Sequence, residues 1–152
     1  MDMNQKLMSL QHIYAASVAE TVNTYHGLGQ LAAIETKREA RQAQSAPFMV
    51  QQLDISTMEE VFTQLTAIFG CADWQTERTK EGLSAKTTTC KLCALSKRMG
   101  GASPCKGWCL DPMIAMLEFI AKREGMNASV KVEGTLMEHE ECTLIVTLHP
   151  QS

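Results

Sequence analysis

Along the first 25 residues apolar side chains return at steps of three and four: Met3, Leu7, Leu10, Tyr14, Val18, Val22 and Tyr25. That spacing puts them on one face and predicts a helix of about 24 residues. Gly27 and Gly29 interrupt it. The stretch Leu31 to Gln44 is rich in Ala, Gln, Glu and Arg, which are good helix formers, but its apolar face is thin, with Leu31, Ile34 and little after. A helix of this kind either packs on a second subunit or stays solvated. Ser45-Ala46-Pro47 is expected to end the helical region, which sets an N-terminal helical region at 1–45, with a role in dimerisation, against a cysteine-rich domain at 46–152.

Beyond that boundary the pattern alternates between the two periods. Ser56 and Glu59 have the spacing of a capping box ahead of VFTQLTAIF, and Gly70 stands at the stop position. Two Thr-rich runs, Trp74 to Thr79 and Leu83 to Thr89, flank Lys80-Glu81-Gly82 and predict a hairpin. A short helix is expected over Leu92 to Met99, stopped by Gly100-Gly101. Asp111-Pro112 reads as an N-cap followed by proline at the first helical position. The helix after it should bury Met113, Met116, Leu117 and Ile120. Val130 to Val132 and Thr143 to Leu148 are two more strands around the charged turn Glu138-His139-Glu140-Glu141. The expected fold is α+β: N-terminal helices followed by a four-stranded antiparallel sheet with helices packed on one face.

Composition narrows the partners. At 152 residues, 45% hydrophobic and 20% charged, the chain can bury a core without staples. The net charge of −3 argues against nucleic acid, although Lys86, Lys91, Lys97, Arg98 and Lys106 gather along the cysteine segment. No apolar run reaches membrane-spanning length and the N-terminus lacks the pattern of a signal peptide, so a cytoplasmic location is expected. Ten methionines read as plastic core packing.

The chemistry lies in the cysteines. Cys90, Cys93, Cys105 and Cys109 fall within twenty residues, as CKLC and CKGWC. Thiolate is both a soft metal ligand and a nucleophile, and in a reducing compartment such a set favours metal or chemistry over structural disulfides. The second spacing, x3 with Gly-Trp inside, departs from a zinc ribbon, so zinc, an iron–sulfur cluster, a redox pair and scattered buried thiols all stay open. Cys142 and Cys71 are further candidates, and Glu138, His139, Glu140 and Glu141 stand next to Cys142. Asp111, two residues past Cys109, makes a nucleophilic Cys109 at a helix N-terminus physically sensible. Trp108 could shield the site or stack on a planar ligand. His12, His26 and His149 read as ordinary surface residues.

The order Thr89-Cys90, Cys109-Leu110-Asp111, Glu133-Gly134-Thr135-Leu136 and Cys142 resembles the L-2-amino-thiazoline-4-carboxylic acid hydrolase-like family over about residues 56 to 148. The same layout is similar to vinyl-4-reductase-type small-molecule-binding domains, some of which hold zinc with cysteines and one glutamate. On that likeness Cys109, Glu133 and Cys142 would be ligands, while Leu136 and Met137 stand where that family has a middle cysteine. The first resemblance implies a cysteine-centred enzyme acting on a small nitrogen- or sulfur-containing cyclic substrate. Cys109, Asp111 and His139 would be catalytic, and Trp108 and Glu133 would sit at the bound group. The alternative is a sensor module without catalysis, in which Cys90, Cys93, Cys105, Cys109 and Cys142 hold zinc or an iron–sulfur cluster. Either reading carries a small-molecule partner and a homo-oligomer.

Overall fold

The computed structural model describes residues 1–151. Five α-helices and four strands follow in the order α1 (Met3–Gly27), α2 (Leu31–Gln52), α3 (Met58–Phe69), β1 (Gln75–Arg78), β2 (Gly82–Thr87), α4 (Lys91–Arg98), α5 (Asp111–Arg123), β3 (Met126–Gly134) and β4 (Cys142–Pro150). The strands form one antiparallel sheet in the order β1-β2-β4-β3. The fold is therefore the α+β arrangement expected from the periodicity.

Strand alternation decides which face is covered. Leu83, Ala85 and Thr87 on β2 and Cys142, Leu144 and Val146 on β4 are all buried. Across the same face Val130 and Val132 of β3 register against Val146 and Leu144. Helix α5 supplies the opposing layer: Met113, Met116, Leu117 and Ile120 are fully buried, as the stripe predicted. Removing these unbranched and branched apolar groups from water is the main stabilising term, about 1.5–3 kcal/mol for each. Helix α3 completes the layer with Val61 and Phe62, whose ring meets Trp74 edge-on at 5.4 Å. It starts at Thr57, one residue later than expected, because the Thr57 hydroxyl and not that of Ser56 accepts from the Glu60 amide. It stops at Gly70, which takes the left-handed conformation at φ 66°. Arg78 then ties β1 to α3 through a two-pronged ion pair with Glu59 at 2.7 and 2.8 Å.

Three expectations are corrected. Helix α2 does not end at Pro47 but runs through it to Gln52, because Ala46 and Val50 on either side are buried in the main core. That tertiary contact outweighs the lost hydrogen bond of an interior proline. The boundary expected at 45/46 thus falls inside a helix whose C-terminal half belongs to the core. Asp111 is not a cap. A five-residue π-helical turn, Lys106–Leu110, feeds straight into α5, so Asp111 is already helical and its side chain caps nothing. On α1 the face buries only from Ala15 onward, through Val18, Ala19 and Val22. Met3, Leu7 and Leu10 stay exposed, along with Met8 and Ile13, while Gln11 and Tyr14 meet the end of α3.

Candidate functional site

Cys90, Cys93, Cys105, Cys109 and Cys142 line a single small cavity of about 20 Å³, together with Trp74, Thr87, Leu92, Pro104 and Leu136. Three elements bring them there. The end of β2 turns through Thr87, whose hydroxyl donates to the Thr89 carbonyl. The chain then pairs with the segment after α3, where the Lys91 amide donates to the Cys71 carbonyl at 2.8 Å. Cys90 becomes the N-cap of α4, its sulfur accepting from the Cys93 amide at 3.5 Å. Sulfur as N-cap leaves Cys93 in the first turn, facing inward and buried.

The second pair returns through a Gly-Gly reversal that α1 holds in place. Asn23 donates from Nδ2 to the Ser96 hydroxyl at 2.9 Å and to the Ala19 carbonyl at 2.7 Å, and its Oδ1 accepts from the Ala102 amide at 3.0 Å. Ser96 donates in turn to the Ala102 carbonyl. Gly100 sits at φ 140°, and a Cβ there would lie 2.7 Å from Asn23 Oδ1, so this reversal needs glycine. Pro104 is fully buried after it, Cys105 stands just ahead of the π-helical turn, and Cys109 follows four residues later within it. The result is a contact of 3.5 Å between the Cys93 and Cys105 sulfurs. Cys142 arrives from the start of β4, opposite Thr87.

The five thiols are not equivalent. The Cys93 thiol lies between the other two and donates to one neighbour at a time, so it is the one held protonated, chiefly by its hydrogen bonds to Cys105 and Cys90. The same donation pulls Cys90 down to about 6; burial opposes it and the Cys93 and Leu92 amides at the helix N-terminus assist. Cys105 is also lowered, by Cys93 first, against burial and with help from Ser103 and Thr135. Burial pushes Cys109 well up and Cys142 up to about 12, and in both the negative charge of Cys90 and Cys105 adds to it. Donation from Cys93 thus favours the thiolate on Cys90 or Cys105, one at a time, while burial disfavours it on Cys109, the nucleophile expected from the sequence.

The other expected site residues are dispersed. Asp111 turns away from the sulfurs to an ion pair with Lys106 at 2.9 Å, which Glu39 shares at 2.8 Å. Glu133 is exposed at the irregularity where β3 shifts register between Val132 and Gly134. It lines an outer groove with Glu138, His139, Lys106 and Cys105. His139 packs its ring over Gly134 and is exposed. Cys109, Asp111 and His139 thus occupy three separate settings. Glu133 does not line the cysteine cavity. Trp108 faces away from it, stacked under the Arg38 guanidinium at 4.3 Å and beside Tyr25 at 6.4 Å.

A second, larger cavity of about 180 Å³ shares Ala72, Trp74, Cys90, Leu92 and Cys109 with the first. Its outer wall comes from α1 and α2 through Tyr14, Arg38, Gln42 and Met49. Cys71 lines it too, its thiol pushed up to about 11 by burial and by the charge of Cys90. Of these groups Cys71 was a candidate in the sequence; Arg38, Gln42 and Asn23 were not. The visible signal for Arg38 and Gln42 was their i, i+4 spacing on a helix with little apolar surface. Among the described residues no helix is long and apolar enough to cross a membrane. Nor do three His, Cys, Asp or Glu side chains among them already stand together as ligands of one ion. Comparison with protein-family models, curated proteins and solved structures returns no match for this chain.

Proposed function

We propose that the cysteine cavity is a soft-metal centre, most simply for one zinc ion, set against a small-molecule cavity in a binding or sensing module. Cys90, Cys93 and Cys105 would hold the ion, with Cys109 or Cys142 completing the set. The observation that carries this reading is the convergence of five thiols from three elements on one cavity. Zinc–sulfur bonds of about 2.3 Å in a tetrahedral site put neighbouring sulfurs about 3.8 Å apart. The Cys93–Cys105 contact of 3.5 Å is near that edge. An iron–sulfur cluster spreads its cysteines over several irons and fits a sulfur contact less well. The charge pattern agrees: Cys90 and Cys105 both favour the thiolate but compete for the single Cys93 proton, and a dication would take over that compensation and allow Cys93 to ionise. Ligation involves rotation of at least one thiol from its present rotamer. The bound ion would supply charge stabilisation and a Lewis-acidic centre at the inner wall of the larger cavity.

The test is metal and sulfide analysis of protein purified without oxygen. Zinc at one per chain supports the reading. Iron with sulfide moves the assignment to a cluster. Absence of both, together with failure to take up added zinc, ends it.

A second reading, catalytic and in line with the hydrolase resemblance, rests on Cys90. It carries the lowered thiol value and lines both cavities, so it, rather than Cys109, would be the nucleophile. In metal-free protein the rate of Cys90 alkylation should rise with a midpoint near pH 6; a midpoint near 9 removes this reading.

A further inference from the structure

The larger cavity holds polar groups that nothing in the protein satisfies. Gln42 Oε1 is buried without a hydrogen-bond partner among the described residues. A buried amide oxygen left unpaired costs about 1–3 kcal/mol, which a fold rarely tolerates without a reason. One helical turn earlier, Arg38 lines the same cavity. Its Nε is spent on the Gly107 carbonyl at 3.0 Å and its flat face on Trp108. Its other two nitrogens, four N–H groups in all, make no ion pair among the described residues. Tyr14, close enough to feel the charge of Arg38, lines the cavity as well. The remaining wall is apolar: Met49, Leu53, Leu65, Phe69, Trp74 and Pro112.

From this arrangement we infer that the cavity binds an organic anion with an aromatic or branched apolar body and one N–H or O–H donor near its acidic group. The acid accepts from the fixed fork of Arg38 and from the Tyr14 hydroxyl. The donor meets Gln42 Oε1 once the amide turns into the cavity, since that oxygen has no open surface in the unliganded protein. The apolar body lies along Met49, Leu53, Leu65 and Phe69. Arg38 suits an anion because its stack on Trp108 and its bond to Gly107 already fix the guanidinium plane, so little side-chain entropy is lost on binding. The far end of the ligand reaches the wall formed by Cys90 and Cys109, which places it next to the thiol centre without depending on a metal there.

Calorimetric titration of the full chain, metal-free and zinc-loaded, with three probes tests this. Indole-3-lactate has the acid, the hydroxyl donor and the apolar ring. Indole-3-lactamide lacks the charge, and indole-3-propionate lacks the donor. The lactate should bind at least tenfold tighter than its amide and about fivefold tighter than the propionate, the factor set by one hydrogen bond to a buried acceptor. Arg38→Gln should erase the first preference and Gln42→Leu the second. Tyr14→Phe, which removes a single oxygen, should weaken both acids several-fold and leave the amide unchanged. Equal affinity for lactate and amide in the wild-type protein overturns the inference, as does absence of binding by all three at about 1 mM. Because metal-free protein is one arm, this result stands apart from the outcome of metal analysis.

Discussion

Asn23 lies on α1, far in sequence from any cysteine, yet the geometry makes it the brace of the cysteine loop. Asn23→Ala removes its bonds to the Ser96 hydroxyl and the Ala19 carbonyl, and it strands the amide of Ala102, a residue only 5% exposed. Each hydrogen bond is worth about 1 kcal/mol net, and the stranded buried donor adds about 1–3 kcal/mol. A loss of about 3 kcal/mol in unfolding free energy follows, large against a total of about 5–15 kcal/mol. Urea denaturation of reduced, metal-free protein measures it. The neighbouring Thr24, whose hydroxyl bonds only to the Glu20 carbonyl of its own helix at an exposed position, is the control. Thr24→Ala should change stability by less than about 0.5 kcal/mol. With the Gly-Gly reversal loosened, Cys105 no longer has a fixed approach to Cys93, and zinc affinity should fall about tenfold or more. A competition titration with a chromophoric chelator reads that loss. If Asn23→Ala stays within about 0.5 kcal/mol of wild type and binds zinc equally well, the loop does not need the brace and the reasoning fails.

Further outcomes follow from the same coordinates. Stability of the reduced metal-free protein should rise from about pH 6 toward 9, because Cys90 is lowered to about 6 from an ordinary value of 9.0 and the folded state releases its proton first. Above 9 it should fall, because the raised Cys109 and Cys142 stay protonated in the fold while the unfolded chain ionises; a profile flat from 6 to 9, measured as urea midpoints, contradicts this. Pro47→Ala restores an amide in the interior of α2 at an exposed position and should raise stability by about 1–3 kcal/mol; a loss would mean that the helix is shaped by the proline. Leu10 and Ile13 are 64% and 60% exposed on the first half of α1, and pairing with a second copy would cover them. Light scattering should find a dimer that Leu10→Lys with Ile13→Lys converts to monomer, and a monomeric wild-type protein ends that expectation.

Much of this architecture was legible in the chain because its signals are local. The stripe Met113, Met116, Leu117 and Ile120 needed only the period of a helix, and Gly70 only the cost of a left-handed residue. The sheet followed from two Thr-rich runs and two alternating ones. What escaped depended on contacts distant in sequence. Pro47 reads as a stop until Ala46 and Val50 are known to be buried in the core. Asp111-Pro112 reads as a cap until the π-helical turn is known to deliver the chain already helical. The cysteines expected to form one wall do line one cavity, but burial of Cys109 had no signal in the local sequence. Proximity of Cys109 to Asp111 in sequence suggested an activated thiol, whereas Lys106 draws the carboxylate away and burial keeps Cys109 neutral. The groups that give the larger cavity its polarity come from helices whose faces looked thin, because Arg38 and Gln42 do not register in an apolar pattern.

The account turns on the thiols acting as one centre. The direct measurement is residue-resolved alkylation by mass spectrometry of anaerobic, reduced protein, with and without one equivalent of zinc. Zinc should protect Cys90, Cys93 and Cys105 together, with Cys109 or Cys142 as the fourth, in a single step that saturates at one ion per chain. Alkylation of each cysteine at its own rate, unchanged by zinc, would contradict it.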